Sequence, residues 1–494
     1  MKTGRLVRNL LITTAAMAGC TGGASAETLM DALFKAYRSN PTLTGARANQ
    51  RAVDEDVPLA RANGLPSASV TASYNEQIVR QEQRFGFDPS STTSIIVTPP
   101  RSVAGQGSVN VPLYSGGTVR NAVNAAKLRV EAGQNNLRGT ESALFSQIVA
   151  AYMDVIRDSQ IVLLNRQNVG ALEVNLRASR DRFEVGDLTR TDVAQSESRL
   201  ALARSSLEQS QAQLVTSKEN YVALVGDVPD ALEPPPPLPG LPTTPDLAAS
   251  IALADNPDVR SAQKNRDAAR YDVKAARGAV MPRLSLFTQG SYTDYLGTED
   301  ARISTPYVKN AQAGASLTIP LYQGGRPGAQ QRQAAARESA AAERIVEVER
   351  NIIAQVRGAY ASWQASLRTI ESNKTAVAAS ELSLEGVKAE NSVGTRTVLD
   401  ILNAEQEMLN ARVQLVSAER NAYVAAFTLI AAMGHAEARD LGLDPSSIYD
   451  PNINYRRVRN KLFDFDFAPV PTTAATPTRA LPAQTSVPVP AATR

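Results

Sequence analysis

The sequence predicts a mainly α-helical, internally duplicated protein with a pair of β-strands in each copy. The segment PLYSGG at residues 112–117 recurs as PLYQGG at residues 320–325, and the same 208-residue offset still relates Gly226 to Gly434. Two long stretches contain no proline, and shorter stretches between them alternate apolar and polar residues. Because a repeat of this length dictates the architecture, both halves are expected to fold alike.

The first 26 residues are typical of a secretory signal peptide. Three basic residues precede an apolar run, and Ala24-Ser25-Ala26 supplies small residues for cleavage. The only cysteine, Cys20, lies inside this leader. Two maturation routes remain open: cleavage after Ala26 is favoured because that site is complete, whereas cleavage before Cys20 would leave a lipid-anchored N-terminus. Neither route allows a disulfide framework.

Composition excludes several classes of function. The formal net charge is +3 and basic residues form no dense cluster, so nucleic acid is not an expected partner. Past the leader no apolar stretch is long enough for a transmembrane helix, so any membrane crossing is expected to use strands. The chain has one histidine, His435, and no nucleotide-binding motif. No enzyme, cofactor or metal site is predicted.

The predicted elements follow in the same order in both halves. The first repeat, 27–228, comprises a helix at 27–63, a β-hairpin at 67–113 and a long helical hairpin at 118–228. A proline-rich linker, 229–245, leads to the second repeat, 246–444, with a helix at 246–280, a β-hairpin at 283–321 and a long helical hairpin at 328–444. The extension 445–494 is expected to be disordered from about residue 469.

The long helical hairpins are predicted from composition and from their glycines. No proline occurs between Pro112 and Pro229, and these residues are rich in good helix formers. A Val-Gly turn, at Gly186 in the first half and Gly394 in the second, ends one helix before the next begins. From Gly117 to Gly186 the helix would extend about 100 Å. Each returning arm is about half as long, so two short helices end to end match one long helix.

The strands are predicted from alternation with period two, which is clearest in residues 67–75 and 310–321. Their partners are expected near 105–113 and 283–295. Upstream of the strands the repeat offset grows by eight residues, which places a longer loop in the first hairpin. Four strands with an apolar face toward lipid cannot close a barrel, so two or three chains must associate.

Each strand-to-helix turn carries a proline and two glycines. These are Pro112, Gly116 and Gly117 in the first half and Pro320, Gly324 and Gly325 in the second. The glycines are expected to meet a backbone requirement, because no phosphate-loop lysine follows them.

These residues carry a family resemblance. The leader, an Asn-Pro pair near each start, the PLYxGG segments and VGTRTVLDILNAEQE at 393–407 resemble the TolC family of outer-membrane efflux proteins, over the mature chain to about residue 445. The resemblance implies a homotrimer in which each protomer gives four strands to a shared 12-stranded β-barrel and long helices to a shared periplasmic α-helical barrel.

The resemblance also implies a function and a location. We expect an exit duct in the outer membrane, in contact with its lipid and extending into the periplasm. The duct would be a passive conduit of a tripartite efflux or type I secretion system. A periplasmic adaptor (membrane fusion protein) and an inner-membrane transporter of ABC or RND type would open its periplasmic end.

The resemblance further implies a gate at that end. Asp400 matches one position of an acidic ring, and Asn403 stands at a second position of that ring. Arg396 matches an arginine that links neighbouring helices, and Thr191 and Asp192 match its partners. Asn391 stands where the family has a linking tyrosine. A simpler interpretation is that Asp400 and Asp192 are helix N-terminal carboxylates, which is compatible with the gate.

Two other functions remain possible from the residues. A periplasmic coiled-coil adaptor or scaffold without a membrane barrel would explain the helices but not the four alternating segments. An enzyme would have to rely on carboxylates alone, and no pocket signature accompanies them.

Overall fold

A computed structural model describes residues 27–78, 82–85, 94–97, 101–296 and 306–489. The predicted signal peptide and Cys20 lie outside the described residues, as do parts of both predicted outer loops.

The two halves have the same order of elements. The first contains α1 (Leu29–Ser39), α2 (Pro41–Asp54), α3 (Asp56–Ala62), β1 (Ser67–Glu76), β2 (Glu82–Phe85), β3 (Ser94–Val97), β4 (Arg101–Tyr114), α4 (Thr118–Glu184) and α5 (Arg190–Val225). The second contains α6 (Pro245–Asp255), α7 (Pro257–Arg277), β5 (Arg283–Leu296), β6 (Tyr307–Thr318), α8 (Arg326–Ser392) and α9 (Val398–Met433), and α10 (Pro451–Val458) follows.

The long helices are equal in length between the halves because the repeat has no gap there. Helices α4 and α8 each contain 67 residues, or about 100 Å, and α5 and α9 each contain 36, or about 54 Å. Within the part of the chain that the structure describes, no helix is both long enough and apolar enough to span a membrane.

The Asn-Pro pairs divide each predicted N-terminal helix into shorter helices. Asn40 caps α2 and Asn256 caps α7, each accepting a hydrogen bond from the backbone N–H two residues later, and proline occupies the first turn. The same side chains donate to carbonyl oxygens in the last turns of α5 and α9, at Leu224 (2.8 Å) and Ala432 (2.9 Å). Asparagine therefore joins the short helices to the returning arm in both halves.

Four antiparallel strands form one sheet in the order β1-β4-β5-β6. Ser67 pairs with Asn110, and Arg283 pairs with Thr318, which fixes the register of the two hairpins. Strands β4 and β5 join the halves, while β1 and β6 are the sheet edges. A separate ladder of β2 and β3 lies inside the longer first loop.

The main core lies where α1, α4, α5 and α9 meet. Its largest side chains are almost fully buried: Tyr37, Phe145, Tyr152, Tyr221 and Phe427. Helix α4 buries residues along most of its length, whereas its repeat equivalent α8 buries only three described side chains, Ile352, Val356 and Leu384. One flank of α8 is therefore open in the single chain.

Two repeat-related tyrosines hold the linker. The Tyr152 hydroxyl donates to the carbonyl oxygen of Glu233 at 2.6 Å, and the Tyr360 hydroxyl donates to that of Thr243 at 2.8 Å. These two bonds hold the linker against the helices. An extended, proline-rich segment forms no internal hydrogen bonds, so its carbonyl oxygens are free to accept from such side chains.

Candidate functional site

The turns between the long and returning helices are the predicted gate region. Gly186 (φ +85°) and Gly394 (φ +82°) end the long helices in the left-handed conformation. No atom lies within 4 Å of a Cβ built on either glycine. Backbone conformation, and not packing, therefore requires glycine at these two turns.

Each returning helix begins with the same capping box. In α5 the Asp192 carboxylate accepts from the Thr189 N–H (2.9 Å) and hydroxyl (2.7 Å), and in α9 the Asp400 carboxylate accepts from the Thr397 N–H (3.0 Å) and hydroxyl (2.7 Å). These bonds hold the pKa of both carboxyls below the usual value. The carboxylates thus cap helices within the chain, and the acidic ring at Asp400 stays a prediction for the oligomer.

The second-half turn is closed by its own side chains. The Arg396 guanidinium lies 2.7 Å from the Glu390 carboxylate, and the Asn391 amide donates to the Arg396 carbonyl oxygen at 2.7 Å. Within the described chain Arg396 pairs with Glu390, not with Thr191 or Asp192, so the predicted link to those residues stays a prediction. Sequence reasoning missed Glu390, which lies six residues from Arg396 on the opposite side of the turn.

Asn403 connects the two halves. Its side-chain oxygen accepts a hydrogen bond from Arg199 of α5 at 2.7 Å. The sequence indicated only a lost acidic position at Asn403, and nothing in the pattern pointed to Arg199. An uncharged acceptor at 403 still anchors α9 to the first half.

Two ion-pair rungs join the arms of each helical hairpin, and both are repeated between the halves. The pairs are Arg180–Glu197 (2.6 Å) and Arg204–Glu173 (2.7 Å) in the first half, and Lys388–Glu405 (3.0 Å) and Arg412–Glu381 (2.7 Å) in the second. The repeat could have revealed them, because an acidic and a basic residue recur together at the 208-residue offset.

Glu405 differs from its repeat equivalent. Its side chain is 6% exposed, whereas that of Glu197 is 49% exposed. Besides Lys388, Glu405 accepts a hydrogen bond from Asn175 of α4 at 2.8 Å. It therefore ties α9 to α8 and to the first half, about one and a half turns above Asp400.

The strand-to-helix turns have similar backbones in different surroundings. Gly116 and Gly117 have φ of +64° and +79°, and Gly324 and Gly325 have φ of +60° and +79°. A Cβ on Gly116 would lie 2.6 Å from the Gly278 carbonyl oxygen, whereas Gly324 has no neighbour within 4 Å. Pro112 lies at an irregularity in the pairing of β4 with β5, and Pro320 follows β6.

Comparison with known proteins decides the family. A model of the outer membrane efflux protein family matches residues 33–227 and 248–435, one segment in each half. The chain belongs to this family. The outer membrane efflux protein BepC of Brucella suis biovar 1 (strain 1330) is 35% identical over 445 residues, 90% of this chain and 93% of that protein. The outer membrane protein TolC of Escherichia coli (strain K12) is 26% identical over 442 residues, 86% of each.

Solved structures agree in fold. The CmeC outer membrane channel of Campylobacter jejuni has a TM-score of 0.69 at 16% identity, covering 87% of this chain and 89% of that one. VceC of Vibrio cholerae has a TM-score of 0.67 at 21% identity, covering 82% and 96%. The predicted family, duplicated fold class and outer-membrane location are confirmed. This efflux family member is an outer-membrane exit duct, and the scaffold without a membrane barrel is set aside.

Proposed function

We propose that this efflux protein works as a passive homotrimeric duct that does no covalent chemistry and whose helical end is opened from the periplasm. A periplasmic adaptor and an inner-membrane transporter of ABC or RND type supply the energy. Family membership supports the duct, and the closed turn of the second helical hairpin supports a gate.

The open surfaces of the chain support the trimer. Within the described residues, strands β1 and β6 are the edges of the sheet, and such edges need partners or cover. Three copies of a four-stranded sheet supply twelve strands, within the range of outer-membrane barrels. Helix α4 is covered along most of its length within the chain, whereas its equivalent α8 has an exposed flank. A neighbouring copy could cover that flank, which makes it a second surface for the trimer.

The observation that carries the gate is the concentration of links around the α8–α9 turn. Glu390, Asn391 and Arg396 close the turn, and Arg199 and Glu405 tie its helix to the first half. We propose that opening shifts the second-half helices about Gly394, breaks these links and separates the three Asp400 carboxylates. Convergence of those carboxylates in the closed state makes the constriction attractive to cations.

Single-channel conductance of the reconstituted trimer tests this gate. Arg396→Ala or Asp192→Ala is expected to raise conductance, while Arg344→Ala, which removes an ion pair between neighbouring turns of α8, leaves it unchanged. Unchanged conductance in both gate variants would refute the latch.

Glu390→Ala separates two origins of the effect. This variant removes the partner of Arg396 within the chain but leaves the guanidinium free to bind Asp192 of a neighbouring helix. A latch between helices predicts low conductance in Glu390→Ala and high conductance in Arg396→Ala. Equal increases in both would mean that Arg396 only stabilises its own turn.

A further inference from the structure

A segment near the C-terminus, residues 481–489, lies in a groove, although the composition predicts disorder from about residue 469. Residues 481–489, the C-terminal tail, form neither helix nor strand but hydrogen-bond to α4 and α5. Four bonds hold them: Gln484 N–H to the Glu219 carboxylate (2.9 Å), Lys218 Nζ to the carbonyl oxygens of Thr485 (3.1 Å) and Val487 (2.5 Å), and Val489 N–H to Ser159 Oγ (3.3 Å).

Lys218 is the unusual member of this group. It is 6% exposed, and among the described residues no carboxylate forms an ion pair with it. Lysine is almost never buried so deeply unless its three N–H donors find acceptors. The tail carbonyls supply the acceptors, and burial lowers the pKa of Lys218. The position is therefore suited to a peptide backbone.

The groove beside Lys218 has an apolar wall. Ile156 and Leu163 of α4 and Leu232 and Pro234 of the linker line a cavity of about 350 Å³ next to tail residues 487–489. Val489 also packs against the main core. Polar bonds on one side and an apolar wall on the other are the usual composition of a peptide groove.

The site is not a by-product of the duplicated fold. At the 208-residue offset, Ser159, Lys218 and Glu219 are replaced by Leu367, Ala426 and Phe427. The second half thus keeps the same two helices but lacks all three polar groups. Only the first half can bind a peptide backbone in this way.

We propose that the α4–α5 groove at Lys218 is a binding site for an extended, uncharged, proline-containing peptide, and that the C-terminal tail is its ligand in cis. The tail sequence LPAQTSVPV has no charged residue, and its two prolines favour an extended backbone. Lys218 recognises carbonyl oxygens, while Ser159 and Glu219 recognise N–H groups, so conformation contributes more than side-chain identity.

Peptide binding in trans tests the site. The chain truncated after Ala480 should bind a fluorescent peptide of residues 481–489 saturably in an anisotropy titration. The full chain should bind it at least tenfold more weakly, because its own tail occupies the groove. Adding Lys218→Met to the truncated chain should abolish binding, whereas Lys274→Met in α7 should not. Trimer migration on unheated gels establishes that each variant is folded.

Amine acylation followed by mass spectrometry tests the same site in the full chain. Lys218 should be protected in the full chain and react at least tenfold faster after truncation, while Lys274 reacts equally in both. Equal reactivity of Lys218 in the two proteins would overturn the proposal. Equal affinity of the peptide for the truncated chain with and without Lys218→Met would also overturn it. Both outcomes are independent of whether the trimer conducts.

Discussion

Replacing Glu405 with alanine should open the channel. Glu405 is the one buried carboxylate near the turns that joins α9 both to α8, through Lys388, and to α4, through Asn175, within the described chain. A ligand or mutation shifts a two-state equilibrium only through interactions that differ between the states. If the second-half helices move away from α4 on opening, the bond from Asn175 exists only in the closed state, whereas the pair with Lys388 of α8 is kept.

The magnitude follows from the exposure of the partners. Lys388 is 50% exposed and can turn to water, so its pair contributes only about 0–1 kcal/mol. The bond from Asn175 to the buried carboxylate is charge-assisted and contributes about 1.5–3 kcal/mol. At 1.4 kcal/mol per factor of ten, the ratio of closed to open channels should fall roughly 10- to 100-fold per protomer.

Glu197 provides the matched control. It occupies the equivalent position in the first half, but its side chain is 49% exposed and its ion pair with Arg180 stays within one hairpin. In planar bilayers, Glu405→Ala should show larger or longer openings than the parent, and Glu197→Ala should not. Parental conductance of Glu405→Ala, with a lower melting temperature, would show that these bonds stabilise the fold and not the closed state.

Three further predictions test other parts of the structure. Gly434→Ala should lower the melting temperature of the trimer more than Gly394→Ala: both have φ above +80°, at a cost of about 1–2 kcal/mol, but only at Gly434 would the Cβ lie 2.8 Å from a backbone oxygen. Asp400→Asn should reduce cation selectivity, measured as the reversal potential in a salt gradient, and Asp31→Asn, which alters the same kind of capping box at α1, should not. Burial raises the pKa of Glu141 to about 7, so the native protein retains a proton that the unfolded chain releases. The stability contributed by this group is therefore lost as the pH rises from about 4.5 through 7. Melting temperatures at pH 5.5 and 8 should differ less in Glu141→Gln than in the parent.

The duplicated architecture could be predicted because the same local sequence pattern marks the equivalent element in each half. The glycines of the turns, the Asn-Pro pairs and the alternating strands have local causes, namely left-handed φ, helix capping and one apolar face. These causes depend on neighbours in sequence. The relation between the halves was also visible, because the offset of the repeat changes only in the loop between β1 and β4.

The links between distant elements could not be predicted in the same way. Arg199 and Asn403 are 204 residues apart, and Asn175 and Glu405 are 230 apart. Their meeting depends on how α5 and α4 pack against α9, which the pattern of one chain does not fix. The tail shows the opposite difficulty. Its composition predicts disorder, yet its backbone bonds to Lys218, Glu219 and Ser159 and the packing of Val489 hold it against α4 and α5.

The attachment of α9 to the first half differs along its length, and under the proposed gate this difference predicts which part moves. At its upper end, Phe427, Leu429 and Ile430 are packed in the main core. Below them Arg420 forms a bidentate pair with Asp154 of α4, with distances of 2.8 and 3.2 Å and both side chains partly buried. Such pairs are strong and directional.

Below Arg420, two side-chain hydrogen bonds join α9 to the first half among the described residues, at Asn403 and Glu405. Apolar packing adds Leu402, which clusters with Leu172, and Leu409, which lines the same cavity as Leu172. The segment from Val398 to Arg420 is about 33 Å long and is paired with α8 through the two ion pairs of the hairpin. In the proposed gate, a partner that binds near the turn would compete with these two hydrogen bonds and this packing in each protomer. The capping box at Asp400 would move with α9 as a unit, because all its hydrogen bonds lie within the turn itself.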